Sequence, residues 1–223
     1  MVDFDALTRA SLTRWQNAKL TRKTLSDKVA TSLVAAKKRY QAVEAKTGVP
    51  WAVIAVIHER ESSQNWGRSL AQGDPWNRVS IHVPAGRGPF SSWEEAAIDA
   101  LLNCHPHLAK RKDWSLAGVL IALELYNGMG YANKGVPSPY LWAGTNQYKS
   151  GKYVADGKYD PNHVDQQLGC VAMLLSMMAL DPTITFTGAK IVPITPKAGP
   201  KPTSTSSALG AFFSAILNIF RRK

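Results

Sequence analysis

The run Trp51-Ala-Val-Ile-Ala-Val-Ile57, followed at once by His58-Glu-Arg-Glu61, constrains this chain more than any other feature. Seven apolar residues in succession are too few to span a bilayer, which takes ~20. Pro50 stands where the first turn of a helix tolerates proline, so the run predicts a helix through Ser62. That helix is apolar for most of its length and polar only at its C-terminal end. It belongs in the interior of a helical domain, with its last turn reaching a cleft. A carboxyl at such a boundary is partly desolvated, which raises its pKa and keeps it protonated near neutral pH. Ile54, Ile57, His58 and Glu61 share one face by the i, i+3, i+4 rule, whereas Glu59 points elsewhere and is expected in solvent. A helix end with ordinary surface charge accounts for the same residues equally well. For His58, a hydrogen-bonded structural role fits better than tuning of Glu61.

The rest of the chain reads as helices separated by loops. Val29, Leu33, Tyr40 and Val43 recur at helical spacing, with Thr24 or Ser26 as the cap and Gly48 as the stop. Residues 64–90 are rich in Gly, Pro and Asn, and Val79–Val83 within them predicts a small hairpin or ribbon. Ser92 with Glu95 forms a capping box for a helix through about Asn103. Ser115 caps Leu116–Tyr126, which Asn127-Gly128 stops. Residues 128–161 read as irregular. A last core helix is expected from near Asn162, with Val164, Leu168, Val171, Leu175 and Met178 on one face. The expected architecture is mostly α (α+β), a helical domain with a small β element.

Charge divides the chain. Residues 1–47 hold ten Lys/Arg against four Asp/Glu, residues 183–223 hold six and no acid, and the middle is near neutral. With composition, this divides the chain into a basic N-terminal extension (1–24), a central domain (25–182), a Pro-rich linker (183–207) and a cationic amphipathic tail (208–223). In the tail, Leu209, Phe212, Phe213, Ile216, Ile219 and Phe220 form an apolar helical face before Arg221-Arg222-Lys223. It is too short to span a membrane, so it fits an interfacial helix on an anionic membrane surface; docking on the domain is the alternative. Basic ends suit an anionic envelope or nucleic acid, and no nucleic-acid-binding motif is present, so no nucleic-acid partner is expected. The two cysteines, Cys104 and Cys170, do not make a disulfide scaffold and suit a reducing cytoplasm. The N-terminus has no signal-peptide pattern. Cys104-His105-Pro106-His107 lacks a second ligand pair at zinc spacing, so neither a metal nor a cofactor is expected.

A carboxyl held protonated near neutrality is what a glycosidase needs to protonate the leaving oxygen of a glycosidic bond. The motifs around Glu61 agree. Glu61-Ser62 after a hydrophobic helix resembles the Glu-Ser motif of soluble lytic transglycosylases and goose-type lysozymes. Leu125-Tyr126-Asn127-Gly128-Met129-Gly130 resembles their Tyr-Asn-Ala-Gly motif, with Gly in place of Ala. Gly73-Asp-Pro75, His82-Val-Pro-Ala-Gly-Arg87, Ser138-Pro-Tyr-Leu-Trp-Ala-Gly-Thr-Asn146 and Gly151-Lys-Tyr-Val-Ala-Asp-Gly157 resemble a bacterial and phage branch of the lysozyme-like superfamily. The resemblance covers roughly residues 35–180.

It implies a lysozyme-like fold and cleavage of the β-1,4 bond between N-acetylmuramic acid and N-acetylglucosamine in peptidoglycan. Glu61 matches the catalytic acid and Ser62 the serine beside it. Tyr126 and Asn127 match positions that line the cleft and orient the acid or the sugar. Asp74 falls where goose-type lysozymes carry a water-positioning acid, and it reads equally well as a turn residue before proline. With Asp74 as base the enzyme is an inverting hydrolase; without it, a transglycosylase using the sugar's own C6 hydroxyl. Trp66, Trp76, Tyr140 and Trp142 lie in predicted loops, either to stack on sugars or to fill loop cores; Tyr140 is a candidate substrate-binding residue. The expected role is that of a monomeric phage endolysin, made in the host cytoplasm and acting on the wall after release. A virion-associated or conjugation-type wall enzyme is one competing reading, and a non-enzymatic cationic envelope-binding protein on the same fold is another.

Overall fold

The computed structural model describes residues 2–71, 73–82 and 84–188. Residues 191–223, with the predicted amphipathic tail and most of the Pro-rich linker, lie outside the described residues, as does Val83 of the expected ribbon.

The chain begins with α1 (Phe4–Asn17), capped by the Asp3 carboxylate on the Ala6 N–H at 3.0 Å. The single helix expected over Val29–Val43 is two, α2 (Lys23–Ala35) and α3 (Lys37–Thr47). Neither Thr24 nor Ser26 caps it; Arg22 occupies the cap position and makes no side-chain capping bond. Ala36 breaks the run, its N–H shared between the carbonyls of Ser32 and Leu33. Gly48 then ends α3 with φ 71°, a left-handed conformation that glycine adopts without strain.

Next comes α4 (Trp51–Ser62), in which every residue from Trp51 to His58 is buried. Each fully buried Val or Ile here contributes ~1.5–3 kcal/mol of transfer free energy, which sets α4 as the centre of the core. After a long loop, α5 (Trp93–Asn103) starts where Ser92 accepts the Glu95 N–H. The return bond of the expected capping box is displaced by one residue: the Glu95 carboxylate accepts from the Ser91 N–H and hydroxyl. Ser115 caps α6 (Leu116–Asn127) through the Gly118 N–H. Two short helices follow, α7 (Gly130–Lys134) and α8 (Pro139–Trp142).

The sheet is not where the β-branched run Val79–Val83 placed it. Among the described residues of that run none is a strand, and Val79 and Ile81 are exposed; the run's backbone bonds to the facing segment are limited to those of Ser80 with Gly86 and Arg87. The antiparallel pair is β1 (Lys152–Ala155) and β2 (Lys158–Asp160), in the segment read as irregular. The last helix, α9 (Cys170–Leu180), starts eight residues later than expected. Val164 is exposed rather than on its buried face, because residues 162–169 form no helix.

Around α4 pack α2, α3, α6 and α9, while α1 lies on α6 with Trp15 buried, and α8 on α6 and α9. Ile184 and Phe186 also join the core, and the Thr187 carbonyl accepts the Leu116 N–H, so the folded unit runs past residue 182. Among the described residues the fold is thus mostly helical with one two-stranded antiparallel sheet, and no helix is long and apolar enough to cross a membrane.

Candidate active site

Glu61 lies on the last turn of α4, partly buried, and its Oε1 accepts a hydrogen bond from the Tyr140 hydroxyl at 2.8 Å. Burial raises its carboxyl above the ordinary glutamate value; the Tyr140 bond and the neighbouring Arg60 cation pull it back only in part. The physical reason differs from the sequence argument. Residues 51–58 are buried on every side of α4, so a shared face with Ile54 and Ile57 does not single out Glu61. What desolvates it is the packing around the last turn, where Tyr126 of α6, Tyr140 of α8 and Cys170 of α9 all lie close enough to feel its charge. Glu59 departs from its expected place in solvent. It is half-buried, and burial raises its carboxyl too, against the pull of Arg60.

His58 is fully buried between Trp66 and Trp93. Its Nε2 lies 3.1 Å from the Asn65 carbonyl, which can only accept, so Nε2 carries the proton and Nδ1 accepts from Tyr40 at 3.0 Å. Burial lowers its pKa to about 4, and it is a neutral, structural histidine. Trp142 is buried, Trp66 stacks under Arg39 with 3.8 Å to the ring centre, and Trp76 donates its Nε1–H to the Trp66 carbonyl. Trp142 thus belongs to the core, and Trp66 and Trp76 pack against it partly buried.

The remaining sequence candidates occupy distinct places. The Tyr126 hydroxyl donates to the Leu70 carbonyl at 2.9 Å and ties the 69–75 loop to α6. In the same loop Gly73 passes close to α4; a Cβ there would lie 3.8 Å from the Glu61 carbonyl oxygen. Asn127 Nδ2 donates to the Ser138 hydroxyl at 3.3 Å, linking the end of α6 to the start of α8. The Ser62 hydroxyl turns back to the His58 carbonyl at 3.1 Å, within its own helix. Asp74 organises the loop: Oδ2 accepts from the Ile81 and His82 N–H groups at 2.9 and 3.0 Å, and Oδ1 lies 2.6 Å from His82 Nδ1. Those bonds, the His82 backbone first, hold its carboxyl below the usual aspartate value. No hydrogen bond joins Asp74 to Glu61 among the described residues.

Four residues with a place near the site were not singled out by sequence reasoning. The Arg60 guanidinium lies 4.8 Å from the Tyr140 ring centre, donates to the Leu168 carbonyl at 3.1 Å and pairs with Asp165 at 3.1 Å. Lys152 of β1 reaches the other oxygen of Asp165 at 2.9 Å. On α6, Glu124 is 4% exposed, and burial pushes its carboxyl up to about 7. A signal for the hairpin was present, since Asp156-Gly157 is the turn pair that joins two antiparallel strands. For Asp165 and Glu124 the sequence carries no comparable mark.

A cleft of about 470 Å³ opens beside this network, lined by Arg60, Asn127, Tyr131, Lys152, Tyr153 and Gln167 among others. It borders the Glu61 turn at Arg60, and Glu61 itself is not part of its lining. Among the described residues no group of three or more His, Cys, Asp or Glu is arranged to hold a metal ion, and both cysteines are free and buried. The site can therefore offer a desolvated carboxyl, a phenol that stabilises its ionised form, and a polar cleft alongside. Comparison with protein-family models, curated proteins and solved structures finds no match for the chain.

Proposed function

We propose that this chain is a peptidoglycan-cleaving enzyme of the lysozyme-like superfamily, with Glu61 as the general acid that protonates the bridging oxygen between N-acetylmuramic acid and N-acetylglucosamine. The observation that carries this reading is the Glu61 carboxyl, raised by burial and bonded to Tyr140 at 2.8 Å. Protonated, it gives its proton to the leaving oxygen as the glycosidic C–O bond breaks and an oxocarbenium-like centre forms. The carboxylate left behind keeps the Tyr140 hydrogen bond, which favours the ionised form, and is then placed to take a proton from the incoming nucleophile.

Asp74 bears on which nucleophile that is. Both of its oxygens already accept bonds from the 81–82 segment, and its low pKa makes it a weak base near neutral pH. This favours the single-carboxylate route, in which the muramyl C6 hydroxyl attacks and 1,6-anhydro products form, over an inverting hydrolase with Asp74 as base. The adjoining cleft suits a polar glycan, since its lining mixes the Arg60, Lys152, Asp156 and Asp165 charges with amide and tyrosine surfaces. We extend the proposal to a monomeric endolysin that acts on the wall after release, with the 208–223 segment binding anionic membrane. Digestion of purified peptidoglycan with mass spectrometry of the products tests the reading. It expects anhydro-muropeptides; no soluble glycan fragment of any kind overturns it.

A further inference from the structure

We propose that Asp165 is a positioning residue for the reaction: it locks Arg60 against the Tyr140–Glu61 pair and balances the charge of Arg60 and Lys152, coupling the hairpin to the acid. Its role toward catalysis rests on the reading of Glu61 given above; the charge balance itself does not.

The Asp165 side chain is 1% exposed, and both of its oxygens are committed. One accepts from Arg60 at 3.1 Å; the other accepts from Lys152 at 2.9 Å and from the Gln167 N–H at 3.1 Å. Its own N–H donates to the Tyr148 hydroxyl at 3.0 Å, which fixes the backbone as well. A carboxylate this deep persists only because it is paired. Burial opposes its charge, yet Arg60 and Lys152 hold its carboxyl below the ordinary value. The geometry then runs in one line. Asp165 and the Leu168 carbonyl aim the Arg60 guanidinium at the Tyr140 ring, and the Tyr140 hydroxyl holds Glu61.

The same line carries charge. Facing Glu61 are Arg60 on its own helix, Tyr126 on α6, Tyr140 on α8 and Cys170 on α9. Burial raises both phenols and the thiol, so none of these three carries charge near neutral pH. Glu59 lies on the same turn, Glu124 farther along α6, and Asp74 in the loop, where it contacts His82 Nδ1. Those groups are the same in every variant below and cancel in the comparison. What differs is the balance of two cations, Arg60 and Lys152, against one anion, Asp165. Losing the anion favours ionised Glu61; losing Lys152 disfavours it.

Asp165→Asn and Lys152→Gln in the full chain test this. Two midpoints are read: the alkaline limb of kcat/KM on purified peptidoglycan, and the infrared titration of the Glu61 carboxyl, assigned by its absence in Glu61→Gln. Asp165→Asn is expected to move both midpoints to lower pH and Lys152→Gln to higher pH. A purely structural role lowers activity without moving them. Unmoved midpoints, or shifts in the same direction, overturn the proposal. If Asp165→Asn does not fold, an unmoved Lys152→Gln midpoint overturns it alone and an upward shift supports it. If the native chain cleaves no peptidoglycan while the infrared midpoints separate as expected, the glycosidase reading fails and the charge balance stands.

Discussion

Glu124 sits on α6 with 4% of its surface exposed, and burial pushes its carboxyl up to about 7, a rise that Arg14 offsets only in part. In an unfolded chain the same group titrates near 4.5. Between those values the native state keeps a proton that the unfolded chain has released, so stability falls as pH rises through the window. The gap between about 7 and 4.5, at ~1.4 kcal/mol per pH unit, makes the loss roughly 3 kcal/mol by pH 8. Glu124→Gln keeps the shape and removes the titration. His58 acts in the opposite sense: its pKa of about 4 against 6.5 unfolded means stability is lost as pH falls from 6.5 toward 4. That contribution is common to both proteins and cancels in their difference. Urea unfolding at pH 4.5 and pH 8 is the assay, with the m-value checked for constancy. Relative to the native chain, Glu124→Gln is expected to gain about 3 kcal/mol between the two pH values. Parallel pH profiles for the two proteins refute the reasoning, because a solvated Glu124 has no such window.

Gly169→Ala places a Cβ on the Leu141 carbonyl where α9 meets α8, and the clash is expected to cost ~1–3 kcal/mol, read as a lower thermal midpoint. An unchanged midpoint means the two helices are not in this close contact. Asp74→Asn is expected to leave peptidoglycan cleavage within a fewfold of native while making the 79–82 loop more sensitive to proteolysis, because it weakens the bonds that tie the loop down. A loss of orders of magnitude in rate instead identifies Asp74 as a base. Tyr140→Phe removes the hydrogen bond that favours ionised Glu61, so the alkaline limb of kcat/KM is expected at higher pH. A limb displaced to lower pH contradicts the assigned role.

What the sequence conveyed follows from how local its causes are. The central helix was legible because an apolar run bounded by Pro50 and a charged cluster has few other uses, and α5 and α6 were legible from the caps Ser92 and Ser115. The sheet was misplaced because the described part of Val79–Val83 pairs only at Ser80, with Gly86 and Arg87, whereas Lys152–Asp160 pairs with itself along a ladder across Asp156-Gly157. Propensity without pairing does not make a strand. The start of α9 was missed because Val164 and Leu168 continue the helical spacing, while the Arg22 guanidinium, donating to the Gln166 and Gln167 carbonyls, takes acceptors a helix would use. Of the site, Glu61, Tyr126, Asn127 and Tyr140 were visible in motifs. The Tyr140–Glu61 bond spans 79 positions and the Arg60–Asp165 pair 105, and no local pattern encodes contacts so distant in the chain.

The central claim is that Glu61 protonates the glycosidic oxygen, and its most direct test compares Glu61→Gln with Glu59→Gln in the full chain. Both are incubated with purified peptidoglycan, and the released muropeptides are quantified by mass spectrometry, with circular dichroism as the check on folding. The native chain and Glu59→Gln are expected to release 1,6-anhydro-muropeptides, while Glu61→Gln keeps a native spectrum and cleaves slower by a factor on the order of 10²–10⁴. Native-rate cleavage by Glu61→Gln, with the loss appearing in Glu59→Gln, contradicts the account.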